Sequence, residues 1–187
     1  MTDVRMATKK IRVLLADDHP ITRRGIRAVL EEAPDIKVIG EAQNGIEAKE
    51  LIAQFYPDVL LLDLVMPGPK PADIERWMRT NYPKTKTLIL TAHDRGIFLS
   101  ETLEAGAAGF LTKDKDTSTL ITAIRQAMRG ETLYTQEQLE RVRCWQAEVR
   151  ARWECLTERE QEVLRLVAAG LRNAAIAKAL CITKKLQ

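Results

Sequence analysis

Five short apolar runs punctuate the chain: IRVLLA (11–16), IKVIG (36–40), VLLL (59–62), TLIL (87–90) and AGFL (108–111). Continuous Leu-rich or β-branched runs of this length predict strands buried on both faces. Between them, apolar residues recur at helical spacing. ITRRGIRAVLEEAP sets Ile21, Ile26, Val29 and Leu30 on one side, and GIEAKELIAQFYP does the same with Ile46, Leu51, Ile52 and Phe55. Each stretch ends at a proline, which cannot continue a helix. A further helix, TSTLITAIRQAMRG, is expected to stop with Gly130 at C′. Regular alternation of strand and helix predicts an α/β fold: a doubly wound, five-stranded parallel sheet with right-handed crossovers and helices on both faces.

Beyond Gly130 the strand signal vanishes. Residues 136–154 contain neither Pro nor Gly, and Leu139, Val142, Trp145, Val149 and Trp153 form one helical stripe. This predicts a helical linker. Two heptads leave two readings open: a stripe docked on its own chain, or a seam for a second copy. The last segment carries local stop and start signals. Thr157 with Glu160 is a capping box, Gly170 supplies a stop, Asn173 is placed to cap a second short helix (AAIAKAL), and Thr183 a third.

Composition narrows the class. The chain has 187 residues, enough for one full domain plus a smaller one, and is 45% hydrophobic and 29% charged, as soluble proteins are. Its net charge is +3. Residues 1–135 carry 19 basic and 19 acidic side chains and residues 136–187 carry 10 and 7, so the excess lies entirely in the last stretch. That placement hints at a polyanionic partner there. Cys144, Cys155 and Cys181 show no CxxC spacing, which argues for a reducing compartment and against a disulfide or zinc framework. The start, MTDVRMATKK, has no apolar h-region and no run approaches a membrane span, so a cytoplasmic protein is expected.

The chemistry gathers where the strands end. After 11–16 come Asp17 and Asp18, after 59–62 comes Asp63, after 87–90 comes Thr91, and after 108–111 come Thr112 and Lys113. In an open parallel sheet, ligands sit beyond the carboxyl ends of the strands. Three carboxylates so gathered repel one another, and a divalent cation relieves that repulsion. Mg²⁺ suits the set, because it takes a few carboxylate oxygens and leaves room for a phosphate oxygen. An Asp can be a nucleophile towards a phosphoryl group, whose spread charge Mg²⁺, an ammonium and a hydroxyl stabilise.

The pieces LLADDHP, DVLLLDLVMPG, LILTAHD and AGAAGFLTKD resemble the receiver domain of bacterial two-component response regulators over residues 9–130. The resemblance implies the flavodoxin-like strand order 2-1-3-4-5. It implies Asp17 and Asp18 as the Mg²⁺-binding acid pair, Asp63 as phosphoacceptor and metal ligand, and the Val65 carbonyl as a further metal ligand. Thr91 would be the switch hydroxyl, Lys113 the phosphate counter-ion, and Phe110 the aromatic that repacks with Thr91. A sensor histidine kinase or a small phosphodonor would supply the phosphoryl group. The protein would accept it and slowly hydrolyse its own aspartyl phosphate, rather than act as an enzyme on a separate substrate. The change would remodel the surface around the fourth and fifth helices and promote a homodimer or free the output domain. One departure concerns the loop MPGPKPADIERW, where the family's second Gly is missing and Pro69 and Pro71 stand instead. Proline predicts a stiffer loop and a helix starting at Pro71. His19 and His93, flanking the site in sequence, read as structural. Rival enzymes fit poorly. A haloacid-dehalogenase-like phosphatase needs a second Asp where Val65 stands, and neither a P-loop nor a GxGxxG follows the first strand.

Residues 155–187 resemble the opening of a LuxR-type helix-turn-helix of the NarL/FixJ class, on LTEREQEVLRLVAAGLRNAAIAKALCIT. The resemblance gives Thr157–Ala169 as the supporting helix and Asn173–Leu180 as the scaffold helix, with residues 131–154 as the linker. The recognition helix would start at Thr183, and the sequence ends at Gln187, so this domain is expected to be truncated. Base readout needs that helix. Without it, Arg172, Lys178, Lys184 and Lys185 would offer only salt-sensitive phosphate contacts, and Val163, Leu164, Ile176 and Leu180 would be exposed. The expected function is a phosphorylation-switched regulator of transcription. The alternative is a phospho-dependent interaction module or phosphate sink that binds no DNA.

Overall fold

The computed structural model describes residues 9–92, 94–114 and 116–180. Five strands, β1 (Ile11–Ala16), β2 (Ile36–Ala42), β3 (Val59–Leu62), β4 (Lys86–Thr91) and β5 (Gly109–Thr112), form one parallel sheet in the order β2-β1-β3-β4-β5. Five helices cross between or follow them: α1 (Pro20–Glu31), α2 (Gly45–Phe55), α3 (Pro71–Asn81), α4 (Gly96–Ala105) and α5 (Thr117–Met128). Three more helices come after: α6 (Gln136–Glu154), α7 (Glu158–Ala168) and α8 (Asn173–Ala179). The chain divides into two compact units, Met1–Val142 and Arg143–Gln187.

Why the strand runs lack alternation is plain from their surroundings. β3 is buried at all four residues, and its side chains feed two cores. Leu60 and Leu62 join Leu14, Ile89 and Phe110 in one core, with residues of α2, α3 and α4. Val59 and Leu61 join Val13, Leu15, Leu88 and Leu90 in the other, with residues of α1 and α5. Successive side chains of a strand point to opposite faces, so a sheet covered twice needs apolar residues at every position.

Two residues depart from the expected helix faces. Ile21 is 87% exposed and Ile46 59% exposed, although Leu30 and Ile52 on the same helices are fully buried. Both stand at the second position of their helices, beyond the carboxyl edge of the sheet, where periodicity continues but no strand lies beneath. The proline-rich loop behaves as its composition requires. Pro71 occupies the first position of α3, and Lys70 before it has φ −61. Gly68 carries the loop's positive φ, +109, so Pro69 and Lys70 need no glycine. The loop rests on α2, with Gly45 donating to the Pro67 carbonyl at 2.9 Å.

After α5, Gly130 turns the chain with φ +81, the expected C′ conformation. Leu133 then lies beside β5, its N–H on the Ala108 carbonyl at 2.7 Å. A Cβ on Gly109 would come within 2.7 Å of the Leu133 Cβ, so this approach requires glycine. Thr135 and Gln138 cap α6 reciprocally, as a capping box does. Of the linker stripe, Val142 is buried in the first unit's core and Leu139 half-buried, which is the self-docked arrangement for the first turns of α6.

In the second unit, Thr157 and Glu160 form the expected capping box and Gly170 has φ +80. Arg172, not Asn173, is the N-cap of α8; Asn173 is its first helical residue. Leu164 is exposed as expected, but Val163 is half-buried and Ile176 and Leu180 are buried. The α7–α8 pairing covers them, and an Arg159 guanidinium donates to the Leu180 carbonyl. The expected cap at Thr183, and Cys181, lie outside the described residues. No helix among the described residues is long and apolar enough to cross a membrane.

Candidate functional site

Register alone delivers the first residues of the site. Ala16 pairs with Leu62, so Asp17 and Asp63 leave neighbouring strands together. The Asp63 N–H donates to the Ala16 carbonyl at 2.9 Å, and the Asp17 N–H to the Ala42 carbonyl at 3.0 Å. β1 is also where the strand order reverses, since the chain crosses from it to β2 on one side and returns to β3 on the other. A crevice opens at such a switch point.

Asp17 and Asp63 are buried, at 1% and 3% exposure. Two carboxylates so placed need positive charge, and Lys113 provides it from the turn after β5. Its ammonium lies 2.6 Å from Asp63 Oδ2 and 2.8 Å from Asp17 Oδ2. The Lys113 N–H is held by the Thr91 carbonyl at 2.8 Å, so the end of β4 positions it. Burial opposes the charged ammonium, but hydrogen bonds and charge attraction from Asp17 and Asp63 outweigh that, and the Lys113 pKa stands above its usual value.

Asp18 and His19 complete one side. His19 Nδ1 lies 2.7 Å from Asp18 Oδ1, and the His19 N–H donates to Asp17 Oδ1 at 2.7 Å. Ligand atoms of Asp17, Asp18, His19 and Asp63 all lie within 4.8 Å of one another. Three hard carboxylates converging at that range suit a magnesium-sized cation, which prefers oxygen donors. Val65 is beside them: its N–H points to Asp63 Oδ1 at 3.4 Å, while its side chain is exposed.

Thr91 is fully buried at the end of β4, paired with Thr112. Phe110 is 1% exposed, opposite Ile89 and two residues before Thr112. The structure therefore gathers Asp17, Asp18, Asp63 and Lys113 directly, and sets Thr91 and Phe110 on the two strands beside them. Arg172 and Lys178 are both exposed in the second unit. His93, Lys184 and Lys185 lie outside the described residues.

Sequence reasoning passes over Arg23. Its guanidinium is nearly buried, donating to the Asp17 carbonyl at 2.7 Å and to Glu41 Oε2 at 2.9 Å. Glu41 is held below its usual pKa, first by the hydrogen bond from Arg27, against burial, and then by Arg23. A basic residue on an amphipathic helix reads as solvated, and only Glu41 on β2 makes it structural. His19, structural on its sequence context, does touch the acid pair.

Comparison with known proteins follows the same division of the chain. The model of the response regulator receiver domain matches residues 13–125, and that of the bacterial regulatory proteins of the luxR family matches residues 154–185. The chain is 38% identical to the transcriptional regulatory protein YxjL of Bacillus subtilis over 185 residues, covering 96% of this chain and 85% of that one. The signal receiver domain of NarL from Mycobacterium tuberculosis superposes with TM-score 0.64 at 37% identity, over 66% of this chain and 99% of that one. RcsB from Salmonella enterica serovar Typhimurium, bound to promoter rprA with the phosphomimetic BeF3−, superposes with TM-score 0.61 at 27% identity, over 94% of this chain and 85% of that one. With the receiver sheet, its acid cluster and the luxR-family segment in one polypeptide, the chain belongs to the transcriptional response regulators that join a receiver domain to a LuxR-type DNA-binding domain.

Proposed function

We propose that Asp63 is the phosphoacceptor of a histidine kinase and that its phosphorylation controls the DNA-binding output of this cytoplasmic regulator. The observation that carries the proposal is the Lys113 ammonium held between Asp63 and Asp17 at the switch point of the sheet. An Asp63 oxygen attacks phosphorus, the phosphohistidine N–P bond breaks, and an O–P bond forms on the carboxylate. Asp17, Asp18, Asp63 and the Val65 carbonyl would hold Mg²⁺, which when bound neutralises phosphoryl oxygens. Lys113, kept charged by its partners, exchanges its contact with Asp63 for one with the phosphoryl group. The buried Thr91 hydroxyl turns to donate to that group, and Phe110 repacks into the space it leaves. Water attack on phosphorus later breaks the O–P bond, releases inorganic phosphate and restores the carboxylate.

An apolar groove of about 300 Å³ opens beside Lys113, lined by Ile26, Val29, Leu90, Leu111 and Leu120. Together with the exposed Ile21 it supports docking of a phosphodonor's histidine-bearing surface next to Asp63. We assign residues 9–130 to the receiver, 131–154 to a helical linker and 155–187 to the LuxR-type segment. In that segment Arg172, Lys178, Lys184 and Lys185 contact DNA phosphates. The receiver change shifts a population towards a homodimer through the surface around α4 and α5.

Acetyl phosphate with Mg²⁺ is expected to label the wild-type chain and not Asp63→Asn, and Asp18→Ala is expected to weaken Mg²⁺ binding. Undiminished labelling of the Asp63 variant would overturn the assignment.

A further inference from the structure

The first two turns of α6 are tied to the strand that carries Phe110 and to the loop that follows the strand carrying Thr91. Gln138 caps its own helix through Oε1 and donates through Nε2 to the Phe110 carbonyl at 3.1 Å. That carbonyl belongs to the edge strand, so the bond covers a backbone group that β4 does not pair. One turn on, the Arg141 guanidinium closes on the loop between β4 and α4. It donates to Asp94 Oδ2 at 2.6 Å and to the Asp94 carbonyl at 3.1 Å. Asp94 stands three residues after Thr91. Beside it Val142 is buried in the same core cluster as Phe110, Ile89 and Leu99. All of these residues lie within the first compact unit.

We infer that residues 138–142 form a clasp that opposes phosphorylation of Asp63 and is released by it. The inference rests on the phosphoacceptor reading above. The clasp coexists with Lys113 bound to Asp63, which is the arrangement of the unmodified site. It holds the backbone carbonyl as well as the side chain of Asp94, so movement of Asp94 with the Thr91 hydroxyl has to break both contacts to Arg141. Coupling between two such events is reciprocal: what phosphorylation loosens must, when loosened by mutation, favour phosphorylation. α6 runs on to Glu154 without Pro or Gly, so a loosened first half alters the constraint on the covalent connection to the output segment.

The test uses the whole chain with Mg²⁺ and beryllofluoride as phosphoryl mimic. Hydrogen exchange is followed at residues 136–142, and Asp63 labelling by acetyl phosphate is measured on the same samples. Beryllofluoride is expected to remove protection from 136–142 in the wild type. Arg141→Ala is expected to bind beryllofluoride about two- to fivefold more tightly, the scale of one partly exposed ion pair. The exchanged pair Asp94→Arg with Arg141→Asp is expected to return towards the wild-type affinity, which mere loosening of the fold would not do. Unchanged protection of 136–142 in a chain that labels normally would overturn the clasp and leave the phosphoacceptor reading intact. Equal beryllofluoride affinity in wild type and Arg141→Ala would do the same. Absence of labelling would overturn the phosphoacceptor reading, and the clasp with it.

Discussion

Arg23 touches no atom proposed to react, yet it holds the backbone carbonyl of Asp17. Its guanidinium packs against the acid pair's backbone and is satisfied by a carbonyl and a carboxylate. Removing it takes the charged donor from the Asp17 carbonyl and leaves Glu41 with Arg27 alone, a loss of about 1.5–3 kcal/mol. Arg23→Ala is therefore expected to lower the unfolding free energy by that amount in urea titrations and to weaken Mg²⁺ binding. Unchanged Mg²⁺ affinity would show that Asp17 holds its place without Arg23. The residues proposed to react were legible in the sequence, because they stand at the ends of buried apolar runs. Arg23 was not, since its partner Glu41 lies 18 residues away on a strand.

At the scale of elements, the edge of the sheet is decided by a glycine. Leu133 packs on Gly109 with no space for a side chain, and that contact brings the chain back beside β5 and starts α6 where Gln138 meets Phe110. Gly109→Ala is expected to cost about 1–3 kcal/mol, as overpacking does. It should also speed hydrogen exchange at Leu133, whose N–H bonds across this contact. Wild-type stability in that variant would contradict the tight fit. Strand and helix identities were readable because burial on two faces leaves a continuous apolar run. The faces of α1 and α2 were not readable at Ile21 and Ile46, because a helical period does not say how far the helix extends past the sheet.

At the scale of the molecule, the buried ionisable groups set how stability follows pH. Glu75 on α3 is 4% exposed, and burial raises its pKa above the ordinary glutamate value despite the influence of Thr87, Arg79 and Lys86. The folded state thus binds the Glu75 proton more tightly than the unfolded state. Its stabilising contribution is full below the unfolded pKa of about 4.3 and is lost as pH rises through the raised folded value. Glu75→Gln removes that loss. The variant should match the wild type near pH 4 and unfold at a higher temperature than it at pH 7. A difference that does not grow with pH would refute the role of burial. The sequence by itself determined the strands, the two-sided core and the placing of acidic, hydroxyl and ammonium groups at the strand ends, because these follow from local periodicity and from what stands after each buried run. Only the tertiary structure decided that Arg23 anchors Asp17, that Glu75 is buried, and that α6 is clasped between Phe110 and Asp94. Those are meetings of residues far apart in the chain, fixed by register and packing, on which no local pattern bears.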